Sequence, residues 1–383
     1  AVSSDGLRWE RPSLDVFPGT NKVMLRGRDD WRRDNVSVWL DHDAAKADER
    51  FKAIMFCRTG ALGAKLDDYH PGLLFLSSPD GIHWTERGTT EHSKDNTTMF
   101  YNPFRKMWVF SHRIHIRHDD GRYERARAYW ETKDFFSAAG DAFVKRTPVF
   151  WSCSDAQDAP GSQVYKIDAA PYESVMLGMF QIHLGPDNKI CEEGKFPKIT
   201  ELKLGFSRDG FHWDRPDRRA FIAATRKEGD WDRGYVHTTT GVCVVLNDQL
   251  VFPYCAFSGI APSSTRGMYS GASIGLAMLR RDGFASMDAL KKPGTLTTRP
   301  IVFNGRHLFV NIVAKEGELL VEALGDNGKV LATSKPLIGD TTKQRIEWTD
   351  RADLSALSGK PVRFRFHLTH GQIFAFWVTS DPN

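Results

Sequence analysis

Four side chains able to do acid–base chemistry stand where strand-like stretches begin. They are Asp34 in Asp34-Asn35-Val36-Ser37-Val38-Trp39, Asp95 in Asp95-Asn96-Thr97-Thr98-Met99-Phe100, Glu173 in Tyr172-Glu173-Ser174-Val175-Met176-Leu177, and His237 ahead of Thr238-Thr239-Thr240-Gly241-Val242. The β-branched and aromatic residues that follow favour extended structure. Strands arranged around a common axis would bring three carboxylates and one imidazole to a single pocket. Such a trio suits cleavage of a glycosidic bond, which needs a proton donor for the leaving oxygen and a carboxylate that attacks or activates water. A third carboxylate tunes the donor by charge repulsion.

Each residue also has a purely structural reading. An Asp before Asn at a strand start commonly forms a turn, and a lone His is commonly a hydrogen-bonded core residue. Glu173 is harder to explain that way, because Glu beside the apolar run Val175–Phe180 needs a partner or a task. Arg113, at the end of Trp108–His112, can fork onto a carboxylate or a substrate oxygen. Trp231 and Asp230, in Gly229-Asp230-Trp231-Asp232, can supply a stacking wall with a polar neighbour. His112, His115 and His118 are three residues apart, so successive members fall on opposite faces of a strand and no metal site is expected from them. No G-x-S-x-G, H-E-x-x-H, P-loop or dinucleotide fingerprint is present.

The elements that must position these groups repeat. Ser4-Asp5-Gly6-Leu7-Arg8-Trp9 returns as Ser78-Pro79-Asp80-Gly81-Ile82-His83-Trp84 and as Ser207-Arg208-Asp209-Gly210-Phe211-His212-Trp213, with a weaker copy at Arg281-Asp282-Gly283-Phe284. Each reads as a strand ending in Ser, a tight Asp-Gly turn and a Trp opening the next strand. Together with the two Asp-Asn strand starts, these mark four units near 20–88, 89–145, 146–220 and 221–290, the signature of propeller blades. Residues 1–9 read as the outer hairpin of a further blade whose inner strands are absent, completed by an upstream segment. The expectation is an all-β chain: a five-bladed β-propeller over 1–290 with one blade incomplete, then a C-terminal antiparallel β-sandwich over 291–383. The sandwich strands are expected at 307–312, 318–323, 330–334, 344–348, 362–368 and 373–378.

Composition excludes several classes. Lys and Arg exceed Asp and Glu by only four, interspersed along the chain, so no stripe for nucleic acid exists. No run of eighteen apolar residues is available for a bilayer. Five scattered cysteines support neither a zinc site nor a disulfide scaffold. Eleven Trp and twenty-five Phe serve packing first and also suit sugar stacking. The start at Ala1, with neither Met nor a signal peptide, fits a processed export product or a trimmed chain; the reading taken is a secreted or periplasmic protein.

Asp34, Asp95 and Glu173 on successive units, with the Ser-x-Asp-Gly-x-x-Trp hairpins, resemble the five-bladed propeller glycoside hydrolases of the family 43 and family 32 type. Phe100-Tyr101-Asn102-Pro103-Phe104-Arg105-Lys106-Met107-Trp108 and Leu204–Trp213 look like bacterial family-32-like glycosyl hydrolase proteins, and the resemblance spans nearly the whole chain. It implies a base or nucleophile at Asp34, a pKa modulator at Asp95 and an acid at Glu173. It also implies that His237 matches a His which in some relatives lies beside an axial calcium ion, no cofactor being required. The chain departs from the family where Asn-Asp-Pro-Asn-Gly is absent, Asp95 precedes Asn96 and Glu173 precedes Ser174. The expected activity is hydrolysis of a terminal or small glycosidic linkage, furanosides included, in an oligosaccharide or polysaccharide-derived substrate. The alternatives are a carbohydrate-binding propeller without catalysis and a protein-interaction propeller.

Overall fold

The computed structural model describes residues 1–23, 33–57, 72–90, 93–139 and 148–382, and of Arg33 and Asp34 the backbone alone. Its described residues are almost entirely β, with one seven-residue helix, α1 (Asn188–Gly194), and no helix long and apolar enough to cross a membrane. Two compact units emerge: residues 1–243 with 252–277, and residues 244–251 with 278–383. Met287–Ala289 already pairs into the second unit's sheet, so the division falls earlier than residue 290.

Four antiparallel sheets follow one another in a propeller-like arrangement. The first holds β1 (Arg33–Leu40), β2 (Phe51–Cys57), β3 (Gly72–Ser78) and β4 (Thr85–Thr89), and the second β5 (Thr98–Asn102), β6 (Met107–Arg117), β7 (Tyr123–Thr132) and β8 (Val149–Ser152), each in chain order. The third holds β9 (Gln163–Tyr172), β10 (Val175–Gly185) and β11 (Ile199–Ser207), with Asp214 bridging Phe206 where a fourth strand would run. The fourth is built on β12 (Gly234–Thr238), β13 (Val244–Leu246), β14 (Gln249–Phe257) and β15 (Ala272–Arg280). The first strands of the first three sheets are the inner ones, since β5 lies against both β1 and β9, whereas β12 lies against β10 and β11.

Strands sandwiched between neighbouring sheets are buried on both faces, which is why β3 reads as the unbroken run Gly-Leu-Leu-Phe-Leu-Ser-Ser. Phe75, Trp108, Phe110, Trp130 and Phe135 pack between the first two sheets, and Phe100, Tyr129, Ala169 and Met176 between the second and third. The repeated hairpin closes through side chains rather than through a two-residue turn. Ser78 Oγ accepts from Gly81 N–H at 2.9 Å, Asp80 Oδ1 accepts from Ile82 and His83 N–H at 2.8 Å, and Trp84 Nε1 donates to Gly81 O at 2.9 Å. Ser207 and Asp209 make the same bonds to Gly210, Phe211 and His212. There the Trp213 ring presses on Gly178, where a Cβ would come within 2.4 Å of it. Ser3 and Asp5 repeat the pattern with Trp9 60% exposed. Among the described residues no fifth blade forms; residues 1–23 contribute two isolated bridges, Val2 with Glu10 and Leu14 with Thr20.

The region expected to be a two-sheet sandwich is one seven-stranded sheet. Its axis is β18 (His307–Leu324), an eighteen-residue strand flanked by β20 (Leu337–Arg345) and β22 (Gly371–Thr379) over its first half and by β21 (Arg363–Thr369) over its second. Three short strands, β16 (Met287–Ala289), β17 (Gly294–Thr297) and β19 (Val330–Thr333), complete it. The stretches 307–312 and 318–323, expected as separate strands, are one, because Lys315-Glu316-Gly317 stays extended between them. A Cβ at Gly317 would sit 1.7 Å from Thr369 O, so the glycine lets the neighbouring backbone pass.

Candidate active site

The inner strands of the first two sheets begin side by side. Asn35 Oδ1 accepts from Asn96 N–H at 2.8 Å and its amide donates to Thr97 O at 2.9 Å, which locks the start of β1 to the approach to β5. Asp34 and Asp95 therefore occupy the same end of adjacent inner strands; the side chain of Asp34 lies outside the described residues. Asp95 forms an ion pair with Arg113 from β6. Beneath them the fully buried Arg127 donates to Asn96 O at 2.7 Å, to Ser111 Oγ at 3.0 Å and to Tyr165 O at 3.3 Å. Burial and then Arg113 bring its pKa down to about 9, so it is a cationic strut holding the carbonyls behind Asp95.

Glu173 does not join this end. The apolar run Val175–Phe180 belongs to the second strand of its sheet, β10; the inner strand is β9, and Tyr172 pairs with Val175 around a two-residue turn formed by Glu173 and Ser174. Glu173 is exposed there with φ of 49°. It lies eight residues along β9 from Tyr165, roughly 25 Å at the rise of an extended strand. The third inner strand opens instead on Ser162 and Gln163.

The centre of the site is Tyr165, on β9. The His183 ring stacks on it at 5.9 Å and the Arg125 guanidinium lies 5.4 Å from its centroid. The Tyr165 and Tyr235 hydroxyls are 2.9 Å apart. Lys198, fully buried, donates to Tyr165 Oη at 3.3 Å and to Asn188 Oδ1 at 2.7 Å, and sits 4.3 Å from the Tyr235 ring centroid. Tyr235 takes φ of 49°, a costly backbone state for an aromatic residue, and is held in it by donating its N–H to Lys198 O at 2.7 Å. His237 packs 4.1 Å from the Tyr235 ring and 6.2 Å from that of Tyr165. Desolvation first, then Lys166 and Lys198, hold its pKa well below the ordinary imidazole value, so the ring is neutral.

Beside this cluster opens a cleft of about 680 Å³ lined by His115, Glu124, Arg125, Gln163, His183 and Asp187 among others. Glu124 is committed: it accepts from Ser154 N–H at 3.1 Å and Ser154 Oγ at 2.6 Å and lies 3.0 Å from His118 Nε2. Asp187 stands exposed ahead of α1 and makes no capping hydrogen bond. His183 is 1% exposed, with the Pro186 backbone beside its ring and no side-chain hydrogen-bond partner among the described residues. Burial, Arg125 and Lys198 bring its pKa down to about 4.

Trp231 and Asp230 do not reach the cluster through any contact among the described residues. Trp231 is 39% exposed and packs on Tyr254 of β14 at 5.4 Å, over the face of the fourth sheet, and Asp230 closes a turn onto Lys227 O at 3.3 Å. His112, His115 and His118 face Thr97, Lys94 and Glu124 respectively. No group of three His, Cys, Asp or Glu side chains able to hold a metal ion occurs among the described residues. The sequence reading had picked out Arg113 but passed over Tyr165, His183, Lys198, Tyr235 and Arg125. The available signal was the charged pair Lys166 and Asp168 inside an otherwise apolar stretch, which marks β9 as lining something polar.

No family model and no curated protein matches the chain. Solved structures of similar fold include glycoside hydrolases. One described as a glycoside hydrolase is 13% identical with a TM-score of 0.37, and the match covers 59% of this chain and 62% of that one. A thermostable family-43 glycoside hydrolase is 11% identical with a TM-score of 0.38, covering 82% and 88%. An N-acetylgalactosamine deacetylase from F. plautii, solved with blood group B trisaccharide, is 14% identical with a TM-score of 0.45, covering 73% and 79%. Likenesses at this level leave the chemistry of the site to its own residues.

Proposed function

We propose that the protein is a glycoside hydrolase acting at the shared mouth of β1, β5 and β9. The observation that carries the reading is the placement of Asp34 and Asp95 at the same end of neighbouring inner strands; a cleft that a sugar ring can enter opens where β6, β7, β9 and β10 meet. Asp34 is the attacking or water-activating carboxylate. Asp95, bound to Arg113, stabilises developing positive charge and tunes its neighbours. The proton donor falls to the cleft, where Asp187 is the carboxylate not already committed to hydrogen bonds. Tyr165, buried behind the cleft and packed against His183 and Arg125, holds these two cleft residues in place for the bound sugar.

The test is release of aglycone or reducing sugar from aryl furanosides, aryl pyranosides and plant or algal oligosaccharides, comparing the unaltered protein with Asp34→Asn and Asp187→Asn. Both substitutions should lower turnover by roughly 10³-fold while leaving sugar binding intact. A second reading, a carbohydrate-binding propeller without catalysis, is favoured by Gln163, an amide where the third inner strand would otherwise present a carboxylate. It predicts binding of the same glycans with no bond cleavage by any variant.

A further inference from the structure

The charged groups around the cleft are not all paired. Arg113 is matched by Asp95, and Glu124 is taken up by Ser154 and His118. Arg125, by contrast, directs Nη1 to the neutral Oε1 of Gln163 at 2.7 Å, and its Nε is buried with no hydrogen-bond partner among the described residues. No described carboxylate lies within ion-pair distance of it. His183, almost wholly enclosed yet lining the same cleft, has the Pro186 backbone beside its ring and no side-chain hydrogen-bond partner among the described residues. Unmatched buried donors carry a desolvation cost of roughly 1–3 kcal/mol each, more when charged, and persist where a ligand completes them.

The local field points the same way. Lys94 is pushed down by burial and then Arg113, and His115 is brought to about 4 by burial, Lys94, Arg113 and Arg125. Positive charge from the second sheet therefore faces this cleft, and of the two carboxylates that line it Glu124 is committed to Ser154 and His118 while Asp187 lies outside ion-pair distance of Arg125. A neutral sugar hydroxyl would fill one donor and leave the charge uncompensated. A carboxylate or sulfate accepts from several N–H groups at once and neutralises the guanidinium.

We infer that the sugar taken by this cleft is anionic, a uronic acid or a sulfated residue, with its charged group received by Arg125 and with His183 donating to it or to an adjacent hydroxyl. This rests on the glycan-directed reading of the site and names the substrate class within it.

Calorimetric titration of the full chain decides the matter, with oligogalacturonides and glucuronoxylan oligosaccharides as carboxylate probes and sulfated galactan and fucan oligosaccharides as sulfate probes. Each is paired with its neutral twin made by carboxyl reduction or desulfation. At least one anionic probe should bind about tenfold or more tighter than its twin, the value of one charge-assisted contact. Arg125→Met, which keeps the stem over Tyr165, should erase that preference. The carboxylate and sulfate arms separate the two sources of charge. Equal or tighter binding of the neutral twins, no binding of any anionic probe at millimolar concentration, or a preference that survives Arg125→Met would overturn the inference. The comparison within the unaltered protein stands whether or not the variant folds. Anion-selective binding without cleavage would leave the inference intact and remove the hydrolase assignment, whereas cleavage of neutral glycans alone would do the reverse.

Discussion

Among the described residues, the core of the second unit gathers Leu308, Val310, Ile312, Val321, Phe364 and Phe366 and admits only Asn311 and Ser334 as buried polar side chains. The first unit encloses Arg127, Lys198, His183, the Lys166–Asp168 pair and the cluster of Asp158 with Lys203 and Arg215. Burying a charge costs several kcal/mol even when it is paired, and replacing a buried pair by apolar residues is often neutral or stabilising. One sequence has thus made an economical apolar core in one place and an expensive polar interior in another. Expense of that kind collects at sites where chemistry or recognition is done.

The comparison is broken most severely by the carboxylates. Asp34→Asn should lower kcat by roughly 10³-fold, within the span associated with positioned acid and base groups, while the melting temperature stays close to that of the unaltered protein. Unchanged turnover in a steady-state assay would transfer the chemistry elsewhere. Phe364→Ala should do the opposite, costing about 3–5 kcal/mol in denaturant unfolding of the second unit with kcat per folded molecule unchanged. A fall in kcat would show that the apolar unit contributes to the reaction.

The pH response sharpens the contrast at a smaller scale. His183 ionises near pH 4 in the folded protein against an ordinary 6.5. Between these values the unfolded chain binds a proton that the folded site refuses, so stability is lost as pH falls from 6.5 to 4 and levels off below. His183→Gln should flatten that part of a melting-temperature profile; an unaltered slope would assign it to other groups. The smallest effect is expected from Glu173→Gln, which should change kcat/KM by less than about twofold because the side chain lies at the far end of β9. A large loss would mean that the reaction takes place at the hairpin end of the strand.

The sequence made the two aspartates legible because each precedes a strand whose apolar character is undisguised. Glu173 misled for the complementary reason: Val175–Phe180 looks more like an innermost strand than Gln163–Tyr172 does, since the latter carries Lys166 and Asp168. Those charges are tolerated because they pair with each other at 2.9 Å and Lys166 also reaches Thr238 O at 3.2 Å, a compensation invisible without coordinates. The hairpin repeat announced the succession of sheets, but where the second unit begins was obscured by β13, whose residues sit early in the chain yet belong with residues 278–383. The Tyr165 cluster could not be read because its members come from β7, β9, β10, β12 and the segment before β11, and nothing local to any of them signals the others.

All the bonds that close the Ser-x-Asp-Gly-x-x-Trp loops span three residues or fewer. A loop closed so locally loses little chain entropy and can form on the microsecond scale of hairpins, ahead of the distant pairings that dominate β folding times. The first and third sheets thus each carry a kinetic seed at their outer corner, and folding can proceed inward from periphery to axis. On that order the buried cationic residues, which come from strands distant in sequence, would come together after these corners.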